Sequence, residues 1–95
     1  MNSYHTETDT FQSVDEVTWR DIKGELVVLE LASGEYYSFN EIGRLSWISL
    51  TQGKSVKVII DEIVNEYDVT HDQAKEDLDG FITGLLENNL IVRLK

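Results

Sequence analysis

The feature that most constrains this chain is a change of apolar period at Asn40. Before it, Val17-Thr18-Trp19 alternates, Glu25-Leu26-Val27-Val28-Leu29-Glu30-Leu31 is a short, nearly continuous apolar run, and Tyr36-Tyr37-Ser38-Phe39 is rich in aromatic strand formers. The turn signals Asp21-Ile22-Lys23-Gly24 and Ala32-Ser33-Gly34-Glu35 separate these runs. A three-stranded antiparallel meander is predicted. Its middle strand is apolar on both faces, and its third strand has no successor in the sequence to pair with.

After Asn40 the spacing becomes helical. Asn40 is a good N-cap for a helix over Glu41 to about Gln52, with Ile42, Leu45, Trp47, Ile48 and Leu50 apolar and Gly53 as its stop. A second helix follows Ser55 and runs to about Tyr67, its apolar residues Val56, Ile59, Ile60, Ile63, Val64 and Tyr67 recurring at i, i+3, i+4, i+7, i+8 and i+11. Thr70 to Gln73 has capping-box spacing and opens a third helix to about Asn88, with Ala74, Leu78, Phe81, Ile82, Leu85 and Leu86 on its buried face. Leu90-Ile91-Val92 is expected to close the domain as an extended tail against the helices. The fold class is therefore α+β, with the β-β-β-α-α-α content of a winged-helix-like domain whose strands come first.

Ahead of this domain, Met1 to Glu16 carries four acids and no Lys or Arg. Hydroxyls, amides and acids dominate it, and too little apolar surface is present to offset the entropy of ordering it. Residues 1–14 are expected to be a disordered acidic arm, on which Tyr4 and Phe11 can still dock locally, and residues 15–95 the folded domain. The start lacks the basic and apolar regions of a secretory signal, and no apolar stretch approaches the length of a membrane span. Without cysteine there is neither a disulfide framework nor a thiolate site. A cytoplasmic setting is the expectation.

Charge decides among the functions such a fold can carry. The chain has 18 acidic and 8 basic side chains, a formal charge of -10. On the last helix, the one a winged-helix protein would place in a DNA groove, Asp72, Glu76, Asp77, Asp79 and Glu87 face a single Lys75. A DNA reader neutralises several phosphates with Lys and Arg, so neither nucleic acid nor an anionic membrane is an expected partner. Metal is not expected either, since His5 and His71 are the only histidines and do not form a ligand pair on one face. No serine sits in a glycine-bounded elbow, Asp77 and Asp79 point to different helix faces, and no Gly-rich phosphate loop is present. The residues offer no catalytic site and no cofactor site.

Binding remains. The segment Gly34-Glu35-Tyr36-Tyr37-Ser38-Phe39-Asn40-Glu41-Ile42-Gly43, followed by Ser46-Trp47, Tyr67-Asp68-Val69 and the closing Leu90-Ile91-Val92, resembles the PqqD-like family of RiPP recognition elements, from about Val17 to Val92. Members of that family bind leader peptides of ribosomally made, post-translationally modified peptides, as stand-alone adaptors in lasso-peptide and pyrroloquinoline quinone pathways or fused to modifying enzymes. The resemblance implies a non-catalytic adaptor of about this length. Its partners would be a precursor (leader) peptide and a maturation enzyme such as a leader peptidase, cyclase or radical enzyme. The competing reading is a winged-helix regulatory or protein-interaction module without a precursor-peptide substrate.

The family mode adds the leader as a strand beside the third strand and packs it on the last helix. The residues favour it independently. Glu35, Tyr36, Tyr37, Ser38 and Phe39 form an edge with no Pro or Lys to guard it, a template for β-augmentation that also allows a weak edge-mediated dimer of an otherwise monomeric chain. Backbone bonds net about 0.5 to 1.5 kcal/mol each, whereas ordering a peptide residue costs roughly 1 to 2 kcal/mol. Two or three apolar leader side chains, each contributing about 1.5 to 3 kcal/mol on full burial, must therefore supply the surplus. Gln73, Asp77, Gly80 and Gly84 lie on one stripe of the last helix beside Phe81 and form a candidate wall. The two interior glycines cost about 1 kcal/mol each against alanine. They either let the peptide backbone approach closely, let the helix cross a neighbour tightly, or sit in solvent. Trp19 and Trp47 are read as packing residues. Tyr36 and Tyr37 point to opposite faces, so one of them serves the core. The acidic last helix further implies a leader or enzyme that is basic where it meets that helix.

Overall fold

A computed structural model describes residues 6–94. The elements are β1 (Thr10–Ser13), β2 (Val17–Ile22), β3 (Glu25–Glu30), β4 (Tyr36–Phe39), α1 (Glu41–Thr51), α2 (Val56–Glu66), α3 (His71–Glu87) and β5 (Ile91–Leu94). β2, β3 and β4 form the expected antiparallel meander. The two-residue Lys23-Gly24 turn sets Ile22 opposite Glu25, and the register then places Trp19 opposite Val28 and Val28 opposite Tyr37. Leu26 and Val28 are fully buried, whereas Val27 and Leu29, on the other face of β3, are only half covered. The sheet thus has one packed face and one open face, rather than a central strand enclosed on both sides.

All three helix starts are capped as their sequences predict. The side chains of Asn40, Ser55 and Thr70 accept from the amides of Gly43, Val58 and Gln73. Only half of the capping box at Thr70 forms, because the Gln73 side chain turns to Asp77 instead. Trp47 and Leu50 of α1, Ile59, Ile60 and Ile63 of α2, and Leu78, Ile82 and Leu85 of α3 meet Leu26 and Val28 in one core. Trp47 is buried as expected. Trp19, 37% exposed, packs at the margin of the sheet rather than in the core.

The disordered arm expected over 1–14 is corrected for its described part. Thr10–Ser13 pairs antiparallel with Ile91–Leu94 in a second, two-stranded sheet, and the Leu90 carbonyl accepts from the Val14 amide at 3.1 Å. Upstream, the carbonyls of Asp9 and Glu7 accept from the first amides of α2, Val56 at 3.1 Å and Lys57 at 2.9 Å. These are two of the donors that a helix start leaves unsatisfied. Phe11 is fully buried, with the Arg93 guanidinium 5.5 Å from its ring centroid. One large aromatic and a ladder of backbone bonds order this segment where its overall composition predicted none. The closing tail is extended and packed against the helices as expected, with Leu90 and Ile91 buried in their core, and the ladder adds that it is a paired strand. Tyr4 and His5 lie outside the described residues.

Candidate functional site: the cleft beside the open strand edge

Among the described residues no strand lies beyond β4. The phase of its ladder follows from the preceding turn. Gly34, at φ +78, lets the chain close so that the Glu30 amide donates to the Glu35 carbonyl at 2.8 Å. Backbone bonding alternates along an antiparallel pair, so Tyr37 and Phe39 direct their amides and carbonyls at β3 while Tyr36 and Ser38 direct theirs at the open edge. Side chains alternate too. Tyr37 and Phe39 share the face of Leu26 and Val28, toward the helices, whereas Tyr36, 71% exposed, and Ser38 point to the open face, where Ser38 donates to Glu25 at 2.7 Å. Tyr37 is therefore the tyrosine that faces the helical side. Partial burial, together with the carboxylates of Glu35 and Glu30, raises its phenol above the ordinary tyrosine value and keeps it neutral.

The chain passes from β4 into α1 with only Asn40 between them, which brings the first turn of α1 against the strand. Gly43 permits this approach, since a Cβ there would lie 2.9 Å from the Phe39 Cβ. Opposite stands α3, whose Phe81 ring meets Phe39 edge to face at 5.0 Å between centroids. Phe39 also lies 6.1 Å from Trp47. Together Ser38, Phe39, Asn40, Ile42, Gly43, Ser46, Asp77, Leu78 and Phe81 border a cleft of about 350 Å³. Farther along the strand, Gly34, Glu35, Tyr36 and Tyr37 border a second depression with Asn88. From Phe39 back to Tyr36 is about 10 Å of strand, and from Phe81 on to Asn88 is about 10 Å of helix. α3 therefore runs antiparallel to β4, with Phe81 at Phe39 and Asn88, just past its last turn, near Tyr36 and Tyr37.

Of the residues picked from sequence, Ser38, Phe39, Asp77 and Phe81 come together in the cleft, Glu35, Tyr36 and Tyr37 adjoin it, and Gln73 reaches it by donating to Asp77 at 2.9 Å. Gly80 and Gly84 do not belong to it. They border a broader hollow of about 700 Å³ with Asp72, Glu76 and other side chains of α3, where a Cβ would meet nothing within 4 Å. Among the described residues that hollow is bordered by α3 alone and does not reach β4. The glycine that a close approach does require is Gly43. It was visible in the sequence as a glycine in the first turn of a helix, but its contact with Phe39 depends on how strand and helix meet. Ile42, Ser46 and Leu78 were likewise not assigned to the site.

Two ion pairs brace the helices behind the cleft. Arg44 of α1 donates to Asp21 of β2, through Nε at 2.8 Å and also through Nη2. That bond outweighs partial burial and holds the Asp21 carboxyl below its usual range. Burial opposes ionisation of Glu62 on α2, but donation by Lys54 and by Ser49 of α1, each at 2.6 Å, prevails and lowers its value. No group of three His, Cys, Asp or Glu side chains is placed to hold a metal among the described residues, and no helix there is long and apolar enough to cross a membrane.

The class these features define is a small α+β domain with one open sheet edge beside an apolar cleft walled by a helix. The family model of coenzyme PQQ synthesis protein D (PqqD) matches residues 25–91, and the chain belongs to that family. Among solved structures, TbiB1 in complex with the TbiA(β) leader peptide is 31% identical over 84% of this chain and 93% of that one, with a TM-score of 0.79. A lasso peptide synthetase B1 complexed with the leader peptide is 27% identical over 86% and 96%, with a TM-score of 0.81. No curated protein sequence matches the chain.

Proposed function

We propose that this chain is a non-catalytic, cytoplasmic adaptor. It binds the leader of a ribosomally made precursor peptide as an added strand on β4, packed against α3, and presents it to a separate maturation enzyme such as a leader peptidase, cyclase or radical enzyme. The observation that carries this reading is the unpaired edge of β4 beside an apolar cleft, in a fold whose two similar structures hold leader peptides. Tyr36 and Ser38 offer four backbone groups to a strand, about 2 to 6 kcal/mol in all. Ordering four or five leader residues costs roughly 4 to 10 kcal/mol. Two or three apolar leader side chains, one of them among Phe39, Ile42, Leu78 and Phe81, cover the deficit. The acids of α3 argue against a DNA-bound role for the same helix.

The test is titration of 15N-labelled protein with a synthetic leader peptide. Amides of residues 36–39 and of α3 around Asp77 and Phe81 should shift together and saturate. Shifts confined to other surfaces would contradict the binding mode.

A further inference from the structure

Among the described residues Asp77 is the only charged side chain bordering the cleft. The Gln73 amide donates to its Oδ1 at 2.9 Å from one turn away, which fixes the direction of the carboxylate. A carboxylate accepts several hydrogen bonds, so one donor leaves it able to take a cation as well. Among the described residues no Lys or Arg borders the cleft. Arg44, Lys54, Lys57, Lys75 and Arg93 are paired with Asp21, Glu62, Asp61, Asp79 and Asp9, none of which lines the cleft, and Asp77 is in no ion pair among the described residues. The rest of the lining is apolar or small and neutral. A peptide strand entering here meets an apolar floor and a single oriented negative charge.

The spacing of those two features is set by the helix. Asp77 and Phe81 are four residues apart, about 6 Å along α3. Side chains on the same face of a strand repeat every two residues, about 6.6 Å. Because α3 lies along β4, a strand added to β4 runs along both. Resting on the leader-binding reading above, we infer that Asp77 sets the charge specificity of the site, selecting a leader with a lysine or arginine two residues from the apolar side chain that fills the Phe39–Phe81 pocket. An acidic residue at that position is rejected, since it would face a like charge with no cation at hand.

The experiment pans a library of randomised 12-residue peptides displayed on phage against the immobilised wild-type chain, D77N and D77K. Asp77 is exposed, and an asparagine there still accepts from Gln73, so both variants should melt within a few degrees of wild type. Wild type should enrich an apolar or aromatic residue with Lys or Arg two positions away. D77N should keep the apolar residue and lose the cation, and D77K should replace the cation with Glu or Asp. In a selected peptide made synthetically, lysine changed to norleucine should lose about tenfold in affinity for wild type, or 1.4 kcal/mol, and less than twofold for D77N. A cation absent from the wild-type motif, or unchanged with D77N, overturns the inference. If all three proteins enrich the same apolar motif and it shifts the amides of residues 36–39, leader binding stands and the role of Asp77 falls. If no peptide enriches, or those that do leave these amides unmoved, both readings fall.

Discussion

The two sheets of this domain have opposite fates. In the β1–β5 sheet, Phe11 is sealed beneath the Arg93 guanidinium, and the carbonyls just upstream of β1 are taken by the first amides of α2. In the three-stranded sheet, β4 leaves Tyr36 and Ser38 with backbone groups directed at an edge that no described strand occupies. The first sheet stabilises the fold. The second is kept incomplete beside a cleft. The far edge of the same sheet sharpens the contrast, because β2 is also unpaired on its outer side but carries the charged Arg20 and Asp21, whereas β4 reads Tyr-Tyr-Ser-Phe. An unpaired edge becomes a receptor only where charge does not guard it and an apolar wall stands beside it.

The largest effect should come from damaging the closed sheet. F11A removes a fully buried ring and should cost about 3 to 5 kcal/mol in chemical denaturation, a sizeable part of the roughly 5 to 15 kcal/mol available to a domain. The fraction that remains folded should bind leader peptide with unchanged affinity. A matching loss of affinity would break the division between the two sheets.

Damage to the open edge should do the reverse. The Ser38 amide faces outward, so S38P removes no bond to β3 but blocks an incoming strand. Affinity should fall at least tenfold, about 1.4 kcal/mol, while the melting temperature drops by only a few degrees. Retained affinity would show that the peptide does not pair with β4.

Much of this was legible in the sequence, and the part that was not has a physical cause. Asn40, Ser55 and Thr70 announced the helices because capping is local, and Tyr36 to Phe39 announced an edge because nothing follows it to pair with. The pairing of Thr10 with Leu94 joins the two ends of the chain, and no local signal encodes it. The same limit applies to the glycines. Gly80 and Gly84 share a helical stripe with Asp77, yet which flank of that stripe meets β4 is decided by packing, which gives the close contact to Gly43 instead.

The smallest effect concerns the frame behind the cleft. Glu62 has its folded-state value lowered below the ordinary 4.5, so its contribution is complete above that pH and is lost as pH falls through the lower folded value. E62Q should lower stability by about 0.5 kcal/mol at pH 7, the scale of a partly exposed pair. Melts at successive pH values should show the gap to wild type closing toward pH 3. Because Glu62 braces α1 against α2 and does not border the cleft, leader affinity at pH 7 should hardly change.

The central claim is that a leader completes the sheet at β4, and amide hydrogen exchange tests it most directly. Adding a saturating leader peptide should slow exchange of the Tyr36 and Ser38 amides at least tenfold, while Tyr37 and Phe39, already bonded to β3, change far less. The amides of β2 should not respond. Protection of β2 in place of β4, or an equal change at all four residues of β4, would contradict the account.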